Sequence, residues 1–186
     1  MSLEEVCSDI VGGCKASGLN LLAIDFDQTI VDLHTGGRWS GTLEELASRI
    51  RPFFRVLIPT AIDQGLQVAV VTFSPQVNII AAVLKHAFTD AVASKIPIRG
   101  NDNSWEYAGH GSQDGKQGHM ASVAEEISQK NNVVVTRATT VLIDDDRNNI
   151  EVAYRNEVRA IWLNPDDPNA SIRSFRELAA KGLQTR

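Results

Sequence analysis

Short apolar runs alternate with longer amphipathic stretches along this sequence, and this alternation restricts the fold more than any other feature. The apolar runs are 21–24, 68–71, 141–143 and 160–163. Continuous apolar runs of this length are typical of parallel strands that are buried on both faces. The amphipathic stretches, which indicate helices, are 43–64, 75–87, 117–130, 148–156 and 171–181. A further strand is predicted within 91–98, where Pro97 limits its extent.

Alternating strands and helices predict an α/β fold with three layers. We expect a Rossmann-like, doubly wound parallel sheet of about five strands, with helices on both faces. The chain has 186 residues, which is enough for one substantial core and short for two enzymatic units. A single domain over 1–186 is therefore expected.

Composition and charge disfavour several classes of protein. The chain is 43% hydrophobic and 22% charged, as soluble globular proteins are, and no segment is long and apolar enough to span a bilayer. Glu4 and Glu5 stand where a secretory signal would be basic, so we expect a cytoplasmic protein. The net charge of −5 disfavours a general nucleic-acid binder, while leaving room for a local basic patch.

The two cysteines, Cys7 and Cys14, are seven positions apart in a predicted helix. That spacing places them on one face but two turns, about 10 Å, apart, which is too far for a disulfide. Neither belongs to a CxxC pair. Apolar packing in a reducing cytosol is therefore the predicted role of both.

Polar side chains follow three of the apolar runs directly. They are Asp25 and Asp27, Thr72 and Ser74, and Asp144, Asp145 and Asp146. Ligands bind outside the carboxyl ends of an open parallel sheet, so these side chains are expected to form one site. Five acids in one cleft are costly without a cation, and carboxylate oxygens suit magnesium. An EF-hand beginning at Asp144 is excluded, because Asn149 and Arg155 replace its required Gly and Glu.

The segment Asp25-Phe26-Asp27-Gln28-Thr29 resembles the DxDxT signature of phosphatases in the haloacid dehalogenase-like superfamily. Three further motifs follow in that family's order: an apolar strand ending in Thr at 68–72, a lysine at Lys116, and paired acids after an apolar strand at 141–145. The segment 144–150 is also similar to the DDxxxNI form of its small, capless magnesium-dependent phosphatases. The resemblance covers 21–150, most of the chain.

This resemblance implies a magnesium-dependent phosphomonoester hydrolase. Asp25 would attack phosphorus and form an aspartyl phosphate, which divides one difficult displacement into two easier ones. Asp27 would protonate the leaving alcohol and then deprotonate the attacking water. Thr72 would donate its hydroxyl to a phosphate oxygen, and Lys116 would pair with both the nucleophile and the phosphate.

The resemblance also implies a Mg²⁺ ion among Asp25, Asp27, Asp144 and Asp145. Asp144 would complete the metal shell, whereas Asp145 would bind through water or orient Lys116.

The choice of the third-motif lysine is between Lys116 and Lys95. Lys116 follows Gly115 at the start of a predicted helix, where anions bind well. Lys95 lies in or before a predicted strand and earlier than the family pattern expects, so Lys116 is preferred. The intervals 27–72 and 72–116 are too short for a full cap domain. An open site without a large cap is therefore expected.

Three other functions share parts of this pattern. A receiver domain is disfavoured, because its Lys follows the acids whereas Lys116 precedes 144–146. A phosphotransferase or mutase of the same superfamily, and a non-catalytic phosphate-binding protein on the same fold, remain alternatives. The expected partner is a phosphorylated substrate, either a small molecule or a macromolecular phosphoester, and the oligomeric state is left open.

Several loop residues are assigned smaller roles. Ser74 and Pro75 are typical of a helix start, with Ser at N-cap. The segment 36–39 is either a flap over the site or a plain turn, and His34 and His110 are candidates for substrate contact.

The loop 101–115 carries Trp105 and Tyr107 and leads into Lys116. Loops of this length are often functional. Its rings are expected either to pack on the domain or to form a rim that selects the leaving group.

Overall fold

The computed structural model describes residues 1–183 and places five parallel strands in that range. They are Leu21–Ile24 (β1), Gln67–Val71 (β2), Ile98–Arg99 (β3), Thr140–Asp144 (β4) and Arg159–Trp162 (β5). Their order across the sheet is β3-β2-β1-β4-β5, and the pairings between neighbours are parallel. The predicted doubly wound parallel sheet is confirmed.

Helices cover both faces of this sheet. Over the same residues they are Leu3–Ala16 (α1), Leu43–Ser48 (α2), Pro52–Asp63 (α3), Val77–Ala87 (α4), Asp90–Ala93 (α5), Gln117–Asn131 (α6), Arg147–Arg155 (α7) and Asn169–Leu183 (α8). Strand residues alternate between the faces, as a two-residue period requires. In β1, Leu22 and Ile24 join the core formed with α1, α3, α4 and α8, whereas Leu21 and Ala23 join the core formed with α6 and α7. The three predicted layers are therefore confirmed.

The helix predicted over 43–64 is two helices, α2 and α3. Between them, Ile50 pairs with Val31 in an isolated antiparallel bridge. The residue before a proline is disfavoured in helical backbone, and Arg51 is extended before Pro52, the first residue of α3. The break therefore has a local cause that the apolar periodicity did not reveal.

The strand predicted within 91–98 is wrong for most of that range. Asp90–Ala93 is helical, and β3 begins only at Ile98. Pro97 has no N–H to donate, but its carbonyl accepts a hydrogen bond from the Val70 N–H at 3.0 Å. Backbone pairing therefore starts at the Pro97 carbonyl, and β3 itself has two residues, Ile98 and Arg99.

Both cysteines are free and buried on α1. Burial raises the pKa of each thiol to about 11. Their predicted role in apolar packing is confirmed. Over residues 1–183, no helix combines the length and the apolar character needed to cross a membrane.

The insertion between β1 and β2 adds helices to the layers rather than a separate cap. Within the described chain, it forms α2 and α3, and α3 packs against α1 on one face of the sheet.

Candidate active site

The loops after β1, β2 and β4 enclose a cavity of about 500 Å³ at the carboxyl edge of the sheet. Its walls are formed by Asp25, Asp27, His34, Gly36, Gly37, Thr72, Phe73, Ser74, Pro75, Lys116, Asp144, Asp145, Asp146 and Asn149. These walls include the six side chains to which the sequence assigned a catalytic or metal-binding role, namely Asp25, Asp27, Thr72, Lys116, Asp144 and Asp145.

Three carboxylates, Asp25, Asp144 and Asp145, form an acidic trio in this cavity. One ligand atom from each lies within 4.8 Å of the others. The sheet register creates this cluster, since Ile24 of β1 pairs with Ile143 of β4 and the next residue of each strand is acidic. Oxygen atoms at this spacing could hold a hard divalent cation.

The acidic trio carries an electrostatic cost, because Asp25 is only 6% exposed and Asp144 only 1%. Burial raises the pKa of Asp25 to about 6, although Lys116 opposes the change. Burial, with repulsion from Asp25, raises the pKa of Asp144 to about 7. Burial, with repulsion from Asp144, raises the pKa of Asp145 to about 6. A bound cation would lower this cost by neutralising the three carboxylates.

Lys116 is the cation that the protein itself supplies, and its side chain is almost completely buried. Its Nζ donates to Asp25 Oδ1 at 2.6 Å and to the Val71 carbonyl at 3.0 Å. The same atom lies 3.5 Å from Asp144 Oδ2. Burial alone would lower the pKa of Lys116, but the two carboxylates outweigh it and raise that pKa. The ammonium therefore stays charged beside the candidate nucleophile.

Of the two roles expected for Asp145, metal binding through water and orientation of Lys116, the second is not seen, because Asp144 rather than Asp145 contacts Lys116. Asp145 instead accepts a long hydrogen bond from Thr29 Oγ1 at 3.4 Å, and its backbone carbonyl accepts one from Trp162 Nε1 at 2.7 Å. Asp145 is therefore positioned by Thr29 and Trp162 and not by Lys116.

Lys95 does not line this cavity and lies at the opposite edge of the sheet. It lines a different cavity, together with Gln67, the first residue of β2. This position is at the amino edge of the sheet, so the lysine that contacts Asp25 is Lys116.

The carboxylate of Asp27 faces the cavity but lies outside the acidic trio. It is turned towards Thr35, whose backbone N–H donates to Oδ2 at 3.2 Å. The Thr35 hydroxyl lies 3.0 and 2.8 Å from the two carboxylate oxygens. Asp27 is thus not one of the three carboxylates that cluster together, although the sequence resemblance implied that it holds the metal ion with them.

A sharp turn after β1 presents both Asp25 and Asp27 to the cavity. It places Gln28 in the left-handed region, with φ of 57°, a conformation that non-glycine residues adopt rarely. Arg51 stabilises the turn, since its guanidinium donates to the carbonyls of Gln28 at 3.1 Å and Thr29 at 3.2 Å. This role could not be predicted, because Arg51 lay inside a predicted helix.

Thr72 is buried directly after β2 and keeps its hydroxyl proton available. Its Oγ1 accepts a hydrogen bond from the Ser74 N–H at 3.1 Å, so the hydroxyl can donate into the cavity. The predicted N-cap at Ser74 is wrong, since α4 begins at Val77 after Gln76. Ser74 Oγ accepts from the Gln76 N–H at 3.2 Å instead.

The aromatic rings of the loop 101–115 pack on the domain. Trp105, Tyr107 and His119 lie 5.0–5.3 Å apart, centroid to centroid, and Trp105 Nε1 donates to the Gly100 carbonyl at 2.7 Å. Neither Trp105 nor Tyr107 lines the cavity. The structure therefore favours the packing role over the rim.

The two candidate substrate histidines differ in position. His34 lines the cavity. His110 is outside its walls and pairs with Asp114, Nδ1 to Oδ2, at 3.1 Å.

No protein-family model and no curated protein sequence matches this chain. Among solved structures, it is similar to an uncharacterized protein from Corynebacterium glutamicum, with a TM-score of 0.49 and 17% identity, over 88% of this chain and 96% of that one. It is also similar to the HAD domain of effector protein Lem4 from Legionella pneumophila, with a TM-score of 0.43 and 15% identity, over 87% and 97% of the two chains. At these values function has to be inferred from the site residues alone.

Proposed function

We propose that this protein is a magnesium-dependent phosphomonoester hydrolase of the haloacid dehalogenase-like type, acting through an aspartyl phosphate on Asp25. The observation that carries the proposal is the buried ion pair of Asp25 and Lys116 inside the acidic trio, at the carboxyl edge of a parallel sheet. The substrate is a phosphorylated small molecule or macromolecular phosphoester. A reducing, cytoplasmic setting is proposed as well, and the free Cys7 and Cys14 suit it.

The acidic trio fits a magnesium ion by its chemistry. Asp25, Asp144 and Asp145 offer only carboxylate oxygens, which are the donors that this hard ion prefers. When bound, the ion supplies positive charge that neutralises the trio and polarises the phosphate. Lys116 alone leaves the three carboxylates with a net negative charge.

The first half of the reaction uses Asp25 as the nucleophile. A carboxylate oxygen of Asp25 bonds to phosphorus while the bond from phosphorus to the ester oxygen breaks. Lys116 Nζ, 2.6 Å from Asp25 Oδ1, offsets charge on the phosphoryl oxygens in the transition state. The Thr72 hydroxyl donates a hydrogen bond to one of them.

Asp27 handles the protons in both halves. The ester oxygen leaves with the electron pair of the broken bond and takes the proton of Asp27, giving the free alcohol. A water oxygen then bonds to phosphorus while the bond from phosphorus to the Asp25 oxygen breaks, and the water passes one proton to Asp27. The products are inorganic phosphate, the restored Asp25 carboxylate and a protonated Asp27.

Hydrolysis of p-nitrophenyl phosphate is expected to require Mg²⁺. Excess EDTA should abolish the release of p-nitrophenol, and added MgCl₂ should restore it, because the ion neutralises charge on the trio and the phosphate. Full activity in EDTA would contradict the proposed function.

Thermal melting measures metal binding independently of activity. Mg²⁺ is expected to raise the Tm of the protein more at pH 8 than at pH 5. The trio has raised pKa values in the folded state. The folded protein therefore binds more protons than the unfolded chain between about pH 4 and pH 7, and the metal-free protein loses stability as pH rises through that window. At pH 8 the trio is ionised and available to Mg²⁺, whereas at pH 5 protons compete with the ion.

The expected size of this effect follows from mass action. Mg²⁺ at about 100 times its Kd adds about 2.7 kcal/mol, which raises the Tm of a domain of this size by roughly 5–10 °C. Equal shifts at the two pH values would show that Mg²⁺ does not bind at the acidic trio.

Replacing Asp27 with Asn is expected to slow hydrolysis of a simple alkyl phosphate by about 10²–10⁴-fold. Hydrolysis of p-nitrophenyl phosphate should slow less, because p-nitrophenolate leaves without protonation. The matched control is Asp32→Asn, which removes a carboxylate that pairs with Arg49 outside the cavity walls and should retain activity on both substrates. Equal losses on both substrates in Asp27→Asn would remove Asp27 from the acid role.

A further inference from the structure

Thr35 makes the main contacts to the carboxylate of Asp27. Its backbone N–H and its hydroxyl both reach that carboxylate, at 3.2 Å and at 2.8–3.0 Å. His34 Nδ1 lies 3.5 Å from the same group but accepts a hydrogen bond from the Gly36 N–H at 2.9 Å. The Thr35 hydroxyl is therefore the side chain that orients Asp27.

The direction of the Thr35 hydroxyl is set by its other neighbours. Gln76 Nε2 donates to Thr35 Oγ1 at 3.2 Å, and the Gly37 N–H donates to it at 3.4 Å. A hydroxyl has one proton and two lone pairs. With two donors facing the oxygen, the proton is directed to Asp27.

Gln76 is itself held in one orientation between two loops. Its Oε1 accepts a hydrogen bond from the Trp39 N–H, so its Nε2 faces Thr35 and Ser74 Oγ, the latter at 3.3 Å. This chain of contacts joins the loop after β1 to the loop after β2 across the rim of the cavity.

We propose that Thr35 is a positioning residue that holds Asp27 away from the acidic trio and on the leaving-group side of the cavity, and that Gln76 fixes Thr35 in that role. This inference rests on the proposed function, because it assigns a purpose to Asp27 in proton transfer. A carboxylate that is free to rotate could turn to the trio and become a fourth ligand. Held by Thr35, it stays available to protonate the ester oxygen and to accept a proton from water.

The test compares an alkyl phosphate with 2,4-dinitrophenyl phosphate, whose leaving group needs no proton. Thr35→Val keeps the branched shape and removes the hydroxyl. The kcat on the alkyl phosphate is expected to fall about 10–100-fold, because misplaced proton transfer is costly. The kcat on the dinitrophenyl ester should fall less than about threefold, since proton transfer contributes little there.

Thr35→Ser restores the hydroxyl and should return the alkyl phosphate rate to within a few-fold of the wild type. Gln76→Met removes the amide that fixes Thr35, and should produce the same substrate-dependent loss at a smaller size. The matched control is Thr60→Val, which removes a hydroxyl that donates to the Val56 carbonyl within α3 and should leave both rates unchanged.

Equal losses on both substrates in Thr35→Val, or no loss on either, would overturn the positioning role. A purely structural role would lower Tm and both rates together in Thr35→Val, with the same fold-loss on the two substrates. If the wild-type protein hydrolyses neither ester with Mg²⁺, the proposed function itself fails. The two failures are therefore distinguishable.

Discussion

Replacing Asp25 with Asn is expected to lower kcat for p-nitrophenyl phosphate by about 10⁴-fold or more, as loss of a covalent nucleophile does in other enzymes. The amide has nearly the same shape as the carboxylate, but it is a poor nucleophile and loses a metal-binding charge. Asp25 pairs with the buried Lys116 at 2.6 Å, so its replacement also affects folding. The circular dichroism and Tm of the Asp25→Asn variant therefore need to be recorded alongside the rate.

A second measurement identifies the intermediate directly. Acid quenching during turnover should leave phosphate covalently bound to the wild-type protein and none on Asp25→Asn. Activity of Asp25→Asn above about one per cent of the wild type would exclude Asp25 as the obligatory nucleophile, since the loss expected for a nucleophile is far larger.

Replacing Lys116 with Met is expected to have the largest combined effect on activity and stability. Lys116 is 1% exposed and lies beside Asp25 and Asp144. Removing one member of a buried ion pair destabilises a protein by about 3–5 kcal/mol, because the remaining charge has no partner. Loss of transition-state stabilisation should also lower kcat by about 10²–10³-fold.

Lys95→Met is the matched control, because Lys95 lies at the amino edge of the sheet and should retain the rate and the melting temperature of the wild type. Urea unfolding in EDTA separates the stability effect from metal binding. If Lys95→Met lost activity and Lys116→Met retained it, the assignment of the lysine would be reversed.

Most of the sheet could be predicted because β1, β2 and β4 are buried on both faces and therefore stand out as continuous apolar runs. The acidic trio could be predicted from the same runs, since Asp25 and Asp144 follow neighbouring strands whose register is shared. Lys116 was harder to place, because Lys95 also lies between the second and fourth motifs. It is the packing of α6 against the sheet that brings Lys116 to Asp25.

Thr35 and Gln76 could not have been found from the sequence. They lie 41 positions apart in two irregular loops, and neither loop has a periodicity that indicates its direction. The break between α2 and α3 escaped for a different reason, since its cause is the extended backbone of Arg51 before Pro52, which the apolar periodicity does not report. Local patterns report burial and turns, whereas the contacts of Thr35 and Gln76 depend on how distant loops meet.

The two edges of the sheet have a consequence for behaviour at high protein concentration. An edge strand has unpaired N–H and C=O groups to which a strand of another molecule can add. Here β3 is only two residues long, and Arg99 within it is paired with Glu126. The other edge, β5, has four residues and begins at Arg159, whose guanidinium donates to the Ser17 carbonyl at 3.1 Å. Short edges that carry charged residues offer little template for intermolecular β-pairing, so the fold resists this route to aggregation.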